Sequence, residues 1–191
     1  MVGRSHRHVA NTKMKLHRLH SYCIVTDIKE HQEYKGRLLD CINSMPSRSI
    51  RNDHEDITAT DWQYGGQEHE YMRVFMSILD PYMYKMATLL KCSEWSIDNI
   101  WFNKYNNNDR IDWHVHQACM YANTYYLNLP DKSLKTELYD LITEQVIDDV
   151  DVCEGQLLTF PAHIIHRSPP NTNKDSKLVI SFNSNFNSIE I

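Results

Sequence analysis

The spacing of apolar positions changes character once along the chain, near residue 95. Before that point it is helical. Residues 29–45 carry Leu38, Leu39 and Ile42 near one face and run into Pro46, which predicts a helix stopped by proline. Residues 67–91 hold the strongest such pattern: Met72, Phe75, Met76, Leu79, Met83, Met86 and Leu90 recur at three and four, forming a stripe that packs on a core. Its flexible methionines are read as gap-filling core residues. Pro81 is expected to kink this run or split it into two helices. Beyond residue 95 the apolar segments are short and rich in β-branched and aromatic residues: WSIDNIWFNKY, ANTYYLNL, GQLLTF and SKLVISFN. Residues 176–183 alternate, as a half-buried antiparallel strand does. Residues 131–149 read both ways, because Leu134, Leu138, Leu141 and Ile142 have helical spacing inside what is otherwise an inter-strand insertion.

Helices first and antiparallel strands later predict an α+β chain: a sandwich or jelly-roll core with a helical outer layer. No internal repeat or low-complexity linker interrupts the sequence, so residues 1–191 read as one domain. Residues 1–20 form a basic arm, 21–94 a mainly helical support and 95–191 the β core.

Composition narrows the function classes. With 191 residues, 41% of them hydrophobic, the chain is long enough for one sizeable core. No apolar run approaches the ~20 residues of a membrane helix. The start, Met1-Val2-Gly3-Arg4, lacks the apolar stretch of a signal peptide, and a cytoplasmic protein is expected. The five cysteines are scattered and never form CxxC, which argues against a disulfide framework or a zinc–thiolate site. The net charge of −5 disfavours a nucleic-acid partner, even though residues 1–20 carry five Lys and Arg, four His and no acid. The acidic run Asp148-Asp149-Val150-Asp151 lacks EF-hand spacing and is read as a solvated loop. Histidine is the unusual count, at 11.

Two of those histidines, His114 and His116, stand two apart where a strand would present both imidazoles on one face. His166 follows 50 positions later, after Gly155-Gln-Leu-Leu-Thr-Phe-Pro161, and Lys177 stands 11 beyond it. Three protein ligands leave coordination positions open, as a redox-active Fe(II) site requires. A lysine cation at that distance could meet a dicarboxylate bound to the metal.

In this order of elements the chain resembles the 2-oxoglutarate, Fe(II)-dependent oxygenases, in particular their prolyl-hydroxylase-like branch. The resemblance covers residues 97–183. It runs through Tyr105, the loop 106–110, His114-Val-His116, Tyr125-Tyr126-Leu127-Asn128, the Gly155–Pro161 strand, His166, Lys177 and Ile180-Ser181-Phe182-Asn183. It implies a double-stranded β-helix, a cupin-like jelly-roll with the N-terminal helices packed on one sheet. It implies His114, His116 and His166 as iron ligands and Lys177, with Tyr126 and Ser181, as partners of the distal carboxylate of 2-oxoglutarate. Tyr105 would line the cosubstrate pocket. The implied cofactors are Fe(II), 2-oxoglutarate and O2, and the implied reaction is hydroxylation coupled to decarboxylation of 2-oxoglutarate to succinate.

Two departures from the family pattern matter. His116 stands where Asp is commonest, which gives three neutral ligands; Asp112, two residues before His114, is an alternative carboxylate. Lys177 replaces the more frequent Arg, keeping a point charge without the bidentate fork. His163 is read as a neighbour of the site, and Trp101 and Trp113 either as a wall that limits water or as core. Two further readings stay open: a non-catalytic metal-binding or interaction protein, and a three-histidine cupin-type dioxygenase that does not use 2-oxoglutarate. The primary substrate, a protein side chain or a small molecule, has no signature in the sequence.

Overall fold

A computed structural model describes residues 21–62 and 67–189. The basic arm lies outside them. In chain order the elements are β1 (Ile24–Asp27), α1 (His31–Ser44), β2 (Arg48–Arg51), β3 (Glu55–Thr60), α2 (Glu70–Leu89), β4 (Cys92–Tyr105), β5 (Arg110–His114) and β6 (Tyr121–Asn128). They continue with β7 (Glu137–Asp140), β8 (Gln145–Ile147), β9 (Gln156–Pro161), β10 (Ile165–Ser168) and β11 (Lys177–Ile189). The strands pair antiparallel in the order β1-β9-β6-β11-β4-β3-β5-β10-β7-β8, with β2 alongside β3. The sheet curls over itself as a jelly-roll, with both helices outside, as the sequence predicts.

Both helices form where the apolar spacing places them. α1 buries Leu38 and Ile42, and its chain turns extended at Met45, the conformation proline imposes on the residue before it. α2 stays one helix: Pro81 sits on its exposed side and interrupts nothing but its own missing N–H. Its buried face includes Tyr71, Val74, Phe75, Leu79, Met83 and Met86, packed on Phe102, Ile180, Phe182 and Phe186 of the sheet. Tyr71 donates to the buried carboxylate of Asp61 at 2.6 Å, and the same carboxylate accepts the N–H of Phe102 at 2.8 Å. That pair fixes the chain just before Trp62.

Two expectations change. The stretch 21–94 also contributes β1, β2 and β3, short strands whose charged and polar residues mask any period. The stretch 131–149 is a 3-10 turn, Lys132–Leu134, followed by the β7–β8 hairpin rather than a helix. Asp140 accepts the N–H of Ile142, Glu144 adopts a positive φ, and Leu141 is left 66% exposed at the tip. Local turn chemistry overrides the leucine spacing.

The alternation of β11 divides the molecule. Leu178, Ile180 and Phe182 join the core under the helices. Lys177, Val179, Ser181 and Asn183 face a cavity between the two halves of the curled sheet.

Candidate active site

The cavity has a volume of about 330 Å³. His114 is the last residue of β5, and His116 lies just beyond it, tied by its N–H to the carbonyl of Ala162 at 3.0 Å. β10 brings His166 directly opposite His114 in the antiparallel ladder. One ring nitrogen from each of the three lies within 4.8 Å of the others.

The imidazoles are held in one tautomer. Nδ1 of His114 donates to the carbonyl of Asp112 at 2.8 Å, Nδ1 of His166 to that of Ile164 at 2.9 Å, and Nδ1 of His116 to Oδ1 of Asn183 at 2.6 Å. Each Nε2 is then the unprotonated nitrogen, a lone pair free for a metal. Burial pushes His116 below its ordinary pKa and, with the neighbouring His114, takes His166 down to about 3. His116 and His166 are thereby disfavoured as cations. Three imidazoles converging through their ring nitrogens fit a divalent transition metal.

Asp112 does not join them. Its carboxylate meets Arg110 at 3.3 Å and His54 at 3.4 Å. The reason is a bulge: between His114 and Ile111, β5 sets three residue steps against two on β10, which breaks the alternation that would have aligned Asp112 with His114. His163 is exposed. Trp101 borders the cavity with its ring 5.8 Å from that of His116. Trp113 turns outward, under the guanidinium of Arg167 at 4.5 Å.

At the other end of the cavity is Lys177, 1% exposed. Its Nζ donates to Ser168 Oγ at 2.8 Å and lies 5.0 Å from the centre of the Tyr105 ring, its register partner on β4. Burial lowers its pKa to about 7, with Glu137 partly opposing the shift. Ser168 is two residues from His166 on β10, so the lysine crosses the cavity and ends about one pleat repeat, roughly 6–7 Å, along the strand from the histidines. Ser181 and Tyr105 line the cavity, as do Thr124, Thr136 and Asn103. Tyr126 does not. Its ring is buried in the neighbouring core, its hydroxyl accepts the N–H of Thr136 at 2.9 Å, and its pKa is pushed up to about 12.

Three described residues to which the sequence analysis gives no role contact the predicted ones: Asn183 behind His116, Ser168 beneath Lys177, and Asn103 beside Tyr105. Strand alternation carried the signal for each, counting by two from Ser181, His166 and Tyr105. The mouth adds Trp62, 48% exposed and stacked edge-on at 4.4 Å against Trp101, together with Val115 and Gln117.

No family model matches the chain, and no curated protein matches its sequence. Solved structures do match its shape. An oxidoreductase of the 2OG-Fe(II) oxygenase family from Burkholderia pseudomallei superposes with a TM-score of 0.66 at 9% identity, covering 85% of this chain and 84% of that one. The fold is that of the 2-oxoglutarate/Fe(II) oxygenases. A Pseudomonas putida prolyl-4-hydroxylase gives 0.59 at 14% identity, over 84% of this chain and 91% of that one. A Trichoplax adhaerens prolyl hydroxylase, solved with a peptide fragment of the hypoxia inducible factor oxygen degradation domain, gives 0.60 at 13%, over 84% and 82%. Among the described residues no helix is long and apolar enough to cross a membrane.

Proposed function

We propose that the protein is a non-haem Fe(II), 2-oxoglutarate-dependent dioxygenase that hydroxylates a substrate entering past Trp62, Val115 and Gln117. The observation that carries this reading is the pairing, in one cavity, of three converging imidazoles with a buried lysine. His114, His116 and His166 hold the metal. Lys177, supported by Ser168, with Tyr105 and Ser181 in the same wall, holds the distal carboxylate of 2-oxoglutarate. Loaded with iron, cosubstrate and O2, the site supplies the oxidation: substrate C–H becomes C–OH while 2-oxoglutarate becomes succinate and carbon dioxide.

The chain's own residues do the rest. The three Nδ1–H bonds aim the ligands. The bulge in β5 keeps Asp112 out of the ligand set, so the protein contributes no negative charge to the metal. Trp101 shields the His116 side from water. Lys177 favours the 2-oxoglutarate reading over a three-histidine dioxygenase that does without it, because a buried lysine cation needs an anion. Tyr126, which does not line the cavity, is left out of the clamp.

The test is succinate formation from 2-oxoglutarate with Fe(II), alongside metal content. Wild type binds one metal per chain and forms succinate; His166→Ala loses both. Absence of metal from wild type, or retention by the variant, overturns the ligand assignment.

A further inference from the structure

The side-chain carbonyl of Asn103 is buried without a hydrogen-bond partner. The residue is 5% exposed and lines the cavity. In the ladders it stands opposite Val179 on one side and Thr60 on the other. It is two residues from Tyr105 and two from Trp101 on the same face of β4, hence between the lysine end and the histidine end. A buried amide oxygen left unpaired is costly, and an apolar residue would fill this position beside Val179 without that cost. An unpaired amide oxygen, buried and lining a cavity, points to a ligand.

The ligand's chemistry follows from the neighbours. The Asn103 side chain is hydrogen-bonded to the Tyr105 hydroxyl, and burial keeps that phenol protonated. An asparagine amide can sit either way round. With Nδ2 toward the tyrosine, Oδ1 is stranded, as it is here. Turned over, Oδ1 accepts the tyrosine hydrogen and Nδ2 faces the cavity as a donor. A dicarboxylate offers acceptors only, so it meets the second orientation.

We infer that Asn103 is a further contact of the cosubstrate: with 2-oxoglutarate bound, Tyr105 donates to its Oδ1 and its Nδ2 donates to the distal carboxylate beside Lys177. This rests on the oxygenase reading above.

The experiment titrates full-length protein, loaded with Mn(II) as an unreactive stand-in for iron, with 2-oxoglutarate in a calorimeter. Asn103→Leu weakens 2-oxoglutarate about 10- to 100-fold, the loss of a hydrogen bond to a charged group. Its Mn(II) affinity is unchanged. Pyruvate, which keeps the 2-oxo acid but lacks the distal carboxylate, binds wild type and variant alike. The ligand-free variant melts about 2–4 °C higher, since the stranded oxygen is gone. If leucine does not fit, Asn103→Ala must show the same split between 2-oxoglutarate and pyruvate. Unchanged 2-oxoglutarate affinity, or equal losses for both acids and the metal, overturns the inference. A Lys177→Met control separates the two readings. Wild type that ignores 2-oxoglutarate, or is indifferent to that control, overturns the oxygenase reading instead.

Discussion

Lys177 weakens the fold, as expected of a residue kept for the proposed cosubstrate. Its side chain has one hydroxyl partner and a tyrosine face, too little to replace the water it lost. Its folded pKa, about 7, lies below the ordinary lysine value. The unfolded chain therefore holds the proton more tightly, and the stability penalty is full below about pH 7. It is recovered as pH climbs toward the ordinary value. Lys177→Met is thus expected to melt above wild type at pH 7, with the gap narrowing at pH 9 to 10, as a thermal melt at each pH will show. Binding runs the other way. A carboxylate needs the charged lysine, so 2-oxoglutarate affinity should fall above about pH 7, by up to tenfold per unit. Calorimetry in two buffers of different ionisation enthalpy should show uptake of a proton on binding at pH 8.

At the scale of elements, what was legible depended on which periodicity each residue obeyed. β11 and the helices have clean patterns, and the sequence supports both. His114, His116, His166, Lys177, Tyr105 and Ser181 are brought to one cavity as the alternation of strands requires. Asp112, an alternative carboxylate by its position, is turned toward Arg110 and His54 by a bulge, a local insertion with no sequence signature. Tyr126 sits on the expected face, yet its hydroxyl reaches the Thr136 backbone ten residues on, a contact that strand alternation does not encode. The hairpin β7–β8 was obscured by chance leucine spacing. The loop into β9 carries another such dependence. Gly155 has φ +83°, and a Cβ there would stand 2.9 Å from Cγ of His31. That histidine, at the start of α1, is bonded to the Tyr125 hydroxyl at 2.7 Å and to Glu154 at 3.2 Å, and Glu154 also binds Lys35. Gly155→Ala combines a left-handed backbone with a clash, and should cost about 1–3 kcal/mol. Chemical denaturation will measure it, with metal affinity barely changed because the site is elsewhere.

For the whole molecule, the histidine cluster links metal, pH and stability. His114 and His166 face each other across β5 and β10, with His116 just beyond β5. In the metal-free protein His166 stays neutral down to about pH 3, whereas in the unfolded chain it charges near its ordinary value of 6.5. The unfolded state therefore binds the proton first. Its contribution to stability is complete above about pH 6.5 and is lost as pH falls toward 3. Metal bound at a concentration about 100 times its dissociation constant adds about 2.7 kcal/mol, roughly 5–11 °C of Tm for a chain of this size. Stripping it with a chelator should reverse that gain, and His166→Ala should show no such shift.

The two-sided strand β11 has a consequence for how this protein can change over generations. Its helix-facing letters and its cavity-facing letters are interleaved but independent. A substitution at residue 179, 181 or 183 revises the chemistry and leaves the seat of α2 intact. Deleting one residue between them transposes the sets, thrusting phenylalanine into the cavity and serine under the helix. Point mutation can therefore reshape the cavity wall along this strand, while shifts in reading length are closed to it.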